Sequence, residues 1–148
     1  MDKPELIYET YVRASAEKVF QALTDPEFTS KYFHNTHVTS DWKPGSPVRF
    51  DNEDGSTAVD GEVLVYDPPH LLSITWHPLY DPDTVSEKPS RVTFSITAMG
   101  DVCKLRTVHD RFEHADGVYK NVELGWFFVL DNLKTYLETG KALELTEA

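Results

Sequence analysis

The chain has 148 residues, 40% of them hydrophobic, and a formal net charge of −11 from 14 basic and 25 acidic side chains. This length supports one hydrophobic core, so we expect a single domain spanning residues 1–148. A surface of this charge repels phosphate backbones and anionic lipid headgroups, which excludes nucleic acid and membrane surfaces from the expected partners.

The start of the chain and its cysteine content indicate the compartment. The opening stretch MDKPELIYET has no basic region followed by an apolar run, and nowhere do about 18 apolar residues follow one another. The one cysteine, Cys103, cannot form an internal disulfide, which is typical of a reducing compartment. We therefore expect a cytoplasmic protein in which Cys103 is a small buried core residue.

The first third of the chain predicts a strand followed by two short helices. Residues 5–12 alternate between apolar and polar side chains, as a half-buried strand does. Ser15 can cap a helix that starts at the next residue, where apolar residues recur every three or four positions. Asp25 followed by Pro26 is a second helix start, and we expect this helix to end near Tyr32.

The middle of the chain predicts antiparallel strands. Two β-rich runs flank Asp54-Gly55, a dipeptide that favours a tight hairpin turn. After the strand stop at Asp67-Pro68-Pro69 come three more runs, HLLSITWH, SRVTFSITAM and VCKLRTVHDRF, and Gly100-Asp101 turns the chain between the last two. The proline-bounded segment 78–89 predicts a mobile, irregular loop at one end of the sheet, and His77 beside it is expected in solvent.

The last element predicts one long helix from Val118 to Thr139, stopped by Gly140. At about 100° per residue, one face collects the apolar residues Tyr119, Val122, Trp126, Val129, Leu130, Leu133 and Leu137. Leu124 and Phe128 fall on the opposite side, together with Asn132. This second apolar patch predicts either a homodimer contact or packing beneath residues 81–89.

Four segments resemble a known family: ASAEKVFQALTDPE, DGEVLVYDPPHLLSITW, LRTVH and GWFFVLDNLKTYLETG. In this order, over nearly the whole chain, they resemble the activator-of-heat-shock-protein-90-ATPase-like branch of the START-related (SRPBCC) superfamily. The resemblance implies an α+β helix-grip fold, in which a curved antiparallel sheet grips a long C-terminal helix and two short helices follow the first strand. It also implies a cavity between sheet and helix for lipids, polyketides, flavonoid-like or other apolar molecules.

Strand parity predicts which side chains face that cavity. Alternation places Leu105, Thr107 and His109 on one face of their strand and the charged residues on the other. The same alternation predicts that Val65 and Ala98 point inward on their strands. On the last helix, Gly125 would let a ligand reach the backbone. The expected ligand-binding residues are Phe33, His37, Val63, Ile74, Trp76, Phe94, Ile96, Leu105, Thr107, His109, Trp126, Val129 and Leu130.

Metals and cofactors are not expected from the sequence. His34 and His37 are three residues apart, a spacing that suits one metal on a helical turn, but no neighbouring third ligand completes a site. Both histidines are instead expected near the mouth of the cavity. No nucleophile elbow, phosphate-binding glycine loop or dinucleotide fingerprint is present in the sequence.

Three functions stay open. The first is a binding module for a small apolar or aromatic molecule, which requires only the cavity and its aromatic wall. The second is a cyclase or hydrolase that uses His109 as acid or base, since a histidine facing a cavity can exchange a proton near neutral pH. The third, implied only by the family name, is a cochaperone-like interaction protein in the stress response. The additional N-terminal domain of the eukaryotic cochaperone does not occur in this sequence, so a chaperone is not among the expected partners.

Overall fold

The computed structural model describes residues 4–144. Its elements, in chain order, are β1 (Leu6–Val12), α1 (Ala16–Thr24), α2 (Pro26–Tyr32), β2 (His37–Ser40), β3 (Pro47–Asp51), β4 (Thr57–Asp67), β5 (Leu71–Pro78), α3 (Pro82–Val85), β6 (Ser90–Met99), β7 (Val102–Asp110), α4 (Val118–Glu123) and α5 (Gly125–Thr139). Within the described residues, no helix is long and apolar enough to cross a membrane.

The strands form one antiparallel sheet with the order β1-β7-β6-β5-β4-β3-β2. Strands β2 and β1 are its two edges, and short connections link most sequential neighbours, as antiparallel pairing allows. Helices α1, α2 and α5 pack together at one end, and α5 packs on β1. The α+β helix-grip fold predicted from the sequence is confirmed.

The two N-terminal helices begin where their caps predict. The side chain of Ser15 accepts a hydrogen bond from the backbone N–H of Lys18 at 3.1 Å, and that of Asp25 accepts one from Glu27 at 2.9 Å. These bonds satisfy backbone donors that have no partner inside a helix. The buried hydroxyl of Tyr32 donates to the carbonyl of Ala22 at 2.7 Å, which joins α2 to α1.

The C-terminal helix differs from the prediction at two points. A turn at Leu124 divides the predicted single helix into α4 and α5, whereas Gly140 ends it in the left-handed conformation as predicted, with φ of 80°. Asn132, predicted on the side opposite the buried stripe, is 4% exposed. Its Nδ2 donates to the carbonyl of Tyr32 at 3.1 Å and its Oδ1 accepts from the N–H of Leu143 at 2.6 Å, so α5 is covered on this side too.

Strand parity fails at Val65 and Ala98, and one strand was not predicted. The register between β4 and β5 shifts between Val63 and Val65, and this irregularity leaves Val65 37% exposed. Ala98 is exposed because it lies beside the turn of the β6–β7 hairpin, next to the half-exposed Met99. Strand β2 has four residues, too few to show a period, and it forms by pairing with β3.

The segment between β5 and β6, predicted to be irregular, contains the helical turn α3 and is fastened to the sheet. His77, predicted in solvent, keeps only 24% of its side chain exposed. Its Nδ1 lies 3.2 Å from a carboxylate oxygen of Asp60, and its Nε2 lies 2.8 Å from the carbonyl oxygen of Val85. A histidine that bridges strand β4 and helix α3 holds this segment in place.

The core is continuous and includes Cys103. The thiol is buried and donates to the carbonyl of Ala14 at 3.1 Å. Burial, together with the charge of Glu17, raises the pKa of this thiol above its ordinary value. Cys103 is therefore a core residue and not an activated nucleophile, as the sequence predicted.

Candidate functional site

A cavity of about 440 Å³ lies between the sheet and the C-terminal helices. Its apolar wall comes from the segment after α2, from β3 to β5 and from α4 and α5. The apolar residues that line it are Phe33, Phe50, Ala58, Val59, Trp76, Val122, Trp126 and Val129. The polar residues are His34, Thr36, Asn52, Tyr80 and Asn121. A mainly apolar wall with a few polar groups is typical of small-molecule sites.

Four aromatic rings form the deep part of this wall. The ring of Phe33 lies 5.1 Å from Phe50, 5.8 Å from Trp76 and 5.9 Å from Trp126, measured between ring centres. The two indoles are 5.5 Å apart. The rings meet at tilted or edge-to-face angles, the arrangements that aromatic quadrupoles favour. The aromatic wall is therefore a preformed surface.

Gly125 leaves free space beside the helix. It lines the cavity, and a Cβ atom built on it would meet no heavy atom within 4 Å. The φ angle of Gly125 is not positive, so the backbone conformation at this position does not require glycine. The missing side chain enlarges the cavity at the first turn of α5.

Behind the wall, the indole of Trp126 belongs to a buried hydrogen-bond chain. Its Nε1 lies 3.0 Å from Nδ1 of His109, and Nε2 of His109 lies 2.7 Å from the hydroxyl of Ser90. That hydroxyl also donates to the carbonyl of Trp76 at 3.3 Å. This series of hydrogen bonds therefore links the indole of Trp126 to the backbone carbonyl of Trp76 through one histidine and one serine.

The direction of every bond in this chain follows from Trp126. An indole nitrogen only donates, so Nδ1 of His109 must be an acceptor without a proton. The proton of the neutral ring is then on Nε2, which donates to Ser90, and the serine hydroxyl is free to donate to Trp76. Both ring nitrogens of His109 are thus occupied in one fixed tautomer.

His109 lies behind the cavity wall and offers no free ring nitrogen to a ligand in this arrangement. It is fully buried and does not line the cavity. Burial lowers its pKa to about 3, and the charge of Asp110 acts in the opposite direction. His109 points inward as predicted, and its Nδ1 accepts from the Trp126 indole.

The neutral state of His109 makes stability depend on pH. The unfolded chain takes up a proton near pH 6.5 but the folded chain only near pH 3, so stability is complete above about pH 6.5 and falls as the pH decreases toward about 3. Between pH 7 and pH 5, the free energy of unfolding should fall by about 2 kcal/mol more than in His109→Gln. Urea unfolding at both pH values measures this difference, and equal losses in the two proteins would contradict it.

The predicted site residues divide into three groups. Phe33, Trp76, Trp126 and Val129 line the cavity. His37 is exposed on the edge strand β2 and does not line it. The remaining residues are buried but lie outside the cavity wall: Val63, Ile74, Phe94, Ile96, Leu105, Thr107, His109 and Leu130. Strand parity identifies which side chains lie on the inner face of the sheet. It does not show at which part of that face the helix leaves room for a cavity.

Sequence reasoning missed the polar part of the wall. His34 was expected near the mouth and does line the cavity, and burial lowers the pKa of its imidazole. Asn52 lies in the β3–β4 turn, Tyr80 in the segment after β5 and Asn121 in α4. The hydroxyl of Tyr80 donates to Asn121, so these two wall residues are joined across two elements. No periodic pattern marks such residues.

The predicted apolar patch on the far side of the helix is divided. Leu124 is 74% exposed, whereas Phe128 is half-buried with its ring 6.0 Å from the imidazole of His34. Phe127, on the edge of the predicted stripe, is 57% exposed and packs edge-to-face on Tyr8 with ring centres 4.9 Å apart.

Comparison with known proteins identifies a family and related folds. The family model described as "Activator of Hsp90 ATPase homolog 1-like protein" matches residues 13–138. A protein of Cytophaga hutchinsonii with a solution structure is 28% identical, covering 95% of this chain and 98% of its own, with a TM-score of 0.73. No curated protein matches the chain.

Two further structures share the fold at lower identity. The Aha1 dimer of Colwellia psychrerythraea is 19% identical, covering 94% of this chain and 99% of its own, with a TM-score of 0.75. DynU16, a protein of the dynemicin biosynthetic locus, is 23% identical, covering 95% of this chain but 49% of its own, with a TM-score of 0.77.

Proposed function

The chain belongs to the family of Activator of Hsp90 ATPase homolog 1-like proteins, and we propose that it binds a small apolar or aromatic molecule between the sheet and α5. The observation that carries this proposal is the cavity of about 440 Å³, a volume inside the range of about 300–1,000 Å³ usual for small-molecule sites. A core packed only by its own side chains would not leave a cavity of this volume beside Gly125.

The lining favours a flat aromatic ligand, such as a flavonoid or a polyketide, over a saturated lipid. Phe33, Trp76 and Trp126 offer ring faces and edges to stack on. Asn52, Tyr80 and Asn121 supply hydrogen-bonding groups for a carbonyl or hydroxyl on the ligand. The relation in fold to DynU16 of a biosynthetic locus is consistent with this class.

Tryptophan fluorescence provides the direct test, because two of the three tryptophans line the cavity. We expect flavone and an anthraquinone to quench the emission saturably with one site per chain and to raise the melting temperature. Laurate should bind more weakly. Absence of both effects for all three compounds would contradict the proposal and leave a chaperone-like interaction as the alternative.

We also propose that Leu124 and Phe128 form a homodimer contact in the cytoplasm. The support is the 74% exposure of Leu124 and the dimeric state of the Colwellia relative in fold. Light scattering at increasing concentration should show a monomer–dimer equilibrium that Leu124→Lys shifts to monomer. The matched control is Met99→Lys, which changes a half-exposed residue on the sheet. A wild-type chain that stays monomeric at the highest concentration would contradict the dimer.

A further inference from the structure

A second group of chemically active side chains lies outside the cavity. Glu87 precedes β6, and Glu113 and His114 lie in the connection between β7 and α4. One ligand atom from each of the three lies within 4.8 Å of the others. Neither the cavity nor the histidine chain behind it uses these residues.

The carboxylate of Glu87 is only half satisfied. The residue is 5% exposed, and its Oε2 accepts a hydrogen bond from the N–H of Val118 at 2.7 Å. Its Oε1 is buried and has no hydrogen-bond partner among the described residues. The closest cationic candidate is Nε2 of His114 at 3.7 Å, too far for a hydrogen bond. A buried carboxylate oxygen without a partner is costly, and an ion is one of its ordinary explanations.

The surrounding backbone is shaped around this carboxylate. Gly117 has a positive φ of 64°, and a Cβ atom at this residue would overlap Oε2 of Glu87. The chain therefore uses glycine at the start of α4 to bring the backbone against a buried acid. Glu87 therefore binds the first backbone N–H of α4 with one oxygen and leaves the other without a partner among the described residues.

The other two side chains are available on the solvent side. Glu113 accepts from the N–H of Lys88 at 2.8 Å with one oxygen, which leaves its second oxygen free for another interaction. The side chain of His114 is 52% exposed and points its Nε2 at the unpartnered oxygen of Glu87. An imidazole and two carboxylates, reached from solvent on one side, suit zinc and similar divalent transition metals better than calcium or magnesium.

We propose that Glu87, Glu113 and His114 bind one divalent cation of the zinc class, with water completing the coordination. The separation of 3.7 Å between Oε1 of Glu87 and Nε2 of His114 is close to the roughly 3.4 Å expected between two ligand atoms of a tetrahedral site with bonds near 2.1 Å. The ion would join the segment before β6 to the connection that leads into α4, and α4 carries Asn121 and Val122 to the cavity.

Cobalt(II) titration of the full chain, prepared without a polyhistidine tag, tests this site. We expect one Co²⁺ per chain, a visible absorption band typical of four or five ligands, displacement by Zn²⁺, and a higher melting temperature with either metal. His114→Ala and Glu113→Gln change exposed residues and should each weaken binding at least tenfold. The matched control is His70→Ala, since His70 is exposed in the turn after β4 and outside the cluster.

Two results would overturn the metal site. One is the absence of saturable binding at millimolar Co²⁺ or Zn²⁺, which would leave only an ion pair between Glu87 and a protonated His114. The other is equal affinity in the wild type, His114→Ala and His70→Ala, which would show binding elsewhere. Neither readout involves an apolar ligand, so this result is independent of the one on the cavity.

Discussion

Gly125→Leu should abolish binding of flat aromatic molecules while the chain still folds. The glycine lines the cavity, and no heavy atom lies within 4 Å of the position of a new Cβ. A leucine side chain therefore has room to enter the cavity without displacing the backbone. We expect flavone or anthraquinone affinity to fall at least a hundredfold, which corresponds to about 2.7 kcal/mol.

The matched control for this change is Gly125→Ala. Alanine adds only the Cβ atom, and it should raise the free energy of unfolding by up to about 1 kcal/mol because glycine is the poorer helix former. Its ligand affinity should stay within a few-fold of wild type. Fluorescence titration and urea unfolding of both variants check these outcomes. A leucine variant that binds as tightly as the alanine variant would show that the ligand does not enter this cavity.

Trp126→Phe should destabilise the chain by more than the loss of ring size explains. Phenylalanine keeps an aromatic ring in the wall but has no Nε1–H, so Nδ1 of the buried His109 loses its donor. An unpartnered buried acceptor costs about 1–3 kcal/mol. The more drastic Trp126→Ala removes the hydrogen bond and also leaves a cavity, for a total of about 3–5 kcal/mol.

The control for the tryptophan prediction is Trp42→Phe. Trp42 is half-buried and stacks on Tyr66, with ring centres 5.9 Å apart, away from the cavity. Urea unfolding should show a clearly smaller loss for this variant than for Trp126→Phe. Equal losses of unfolding free energy in the two variants would mean that the hydrogen bond from Trp126 to His109 contributes little to stability. Pairing Trp126→Phe with His109→Gln in a double-mutant cycle would isolate its contribution.

Local chemistry explains why most of the fold could be predicted. Ser15 and Asp25 are helix caps whose signal lies within three residues of the helix they start, and Gly140 ends α5 for an equally local reason. Alternation likewise placed Leu105, Thr107 and His109 on the buried face. These features depend on neighbours in sequence, which one chain displays directly.

Features that depend on distant partners could not be predicted. Asn132 is polar on an apparently outer helix face, yet it is buried because Tyr32 and Leu143 come to it from opposite ends of the chain. The irregularity at Val65 arises from its pairing with β5. Glu87 meets His114 only after β6 and β7 have formed a hairpin. In each case the deciding contact is with another part of the fold, and periodicity within one element does not record it.

The cavity itself shows the same limit. Parity identified the inner face of the sheet, but of the predicted strand residues only Trp76 lines the cavity; Phe33, Trp126 and Val129, which also line it, lie outside the strands. The extent of the cavity depends on where α5 lies against the sheet: α5 packs on β1, whereas the cavity opens toward β3, β4 and β5. Packing of a helix on a sheet is a property of the whole surface, and residue patterns do not specify it.

Native mass spectrometry of the freshly purified chain shows whether the cavity between the sheet and α5 holds a ligand. We expect a stoichiometric mass above that of the 16.9 kDa chain, either as purified or after incubation with flavone or an anthraquinone. Denaturation should release this molecule, and Gly125→Leu should not carry it. A wild-type chain that stays at its own mass under both conditions, and whose spectrum matches that of Gly125→Leu, would contradict a ligand in this cavity.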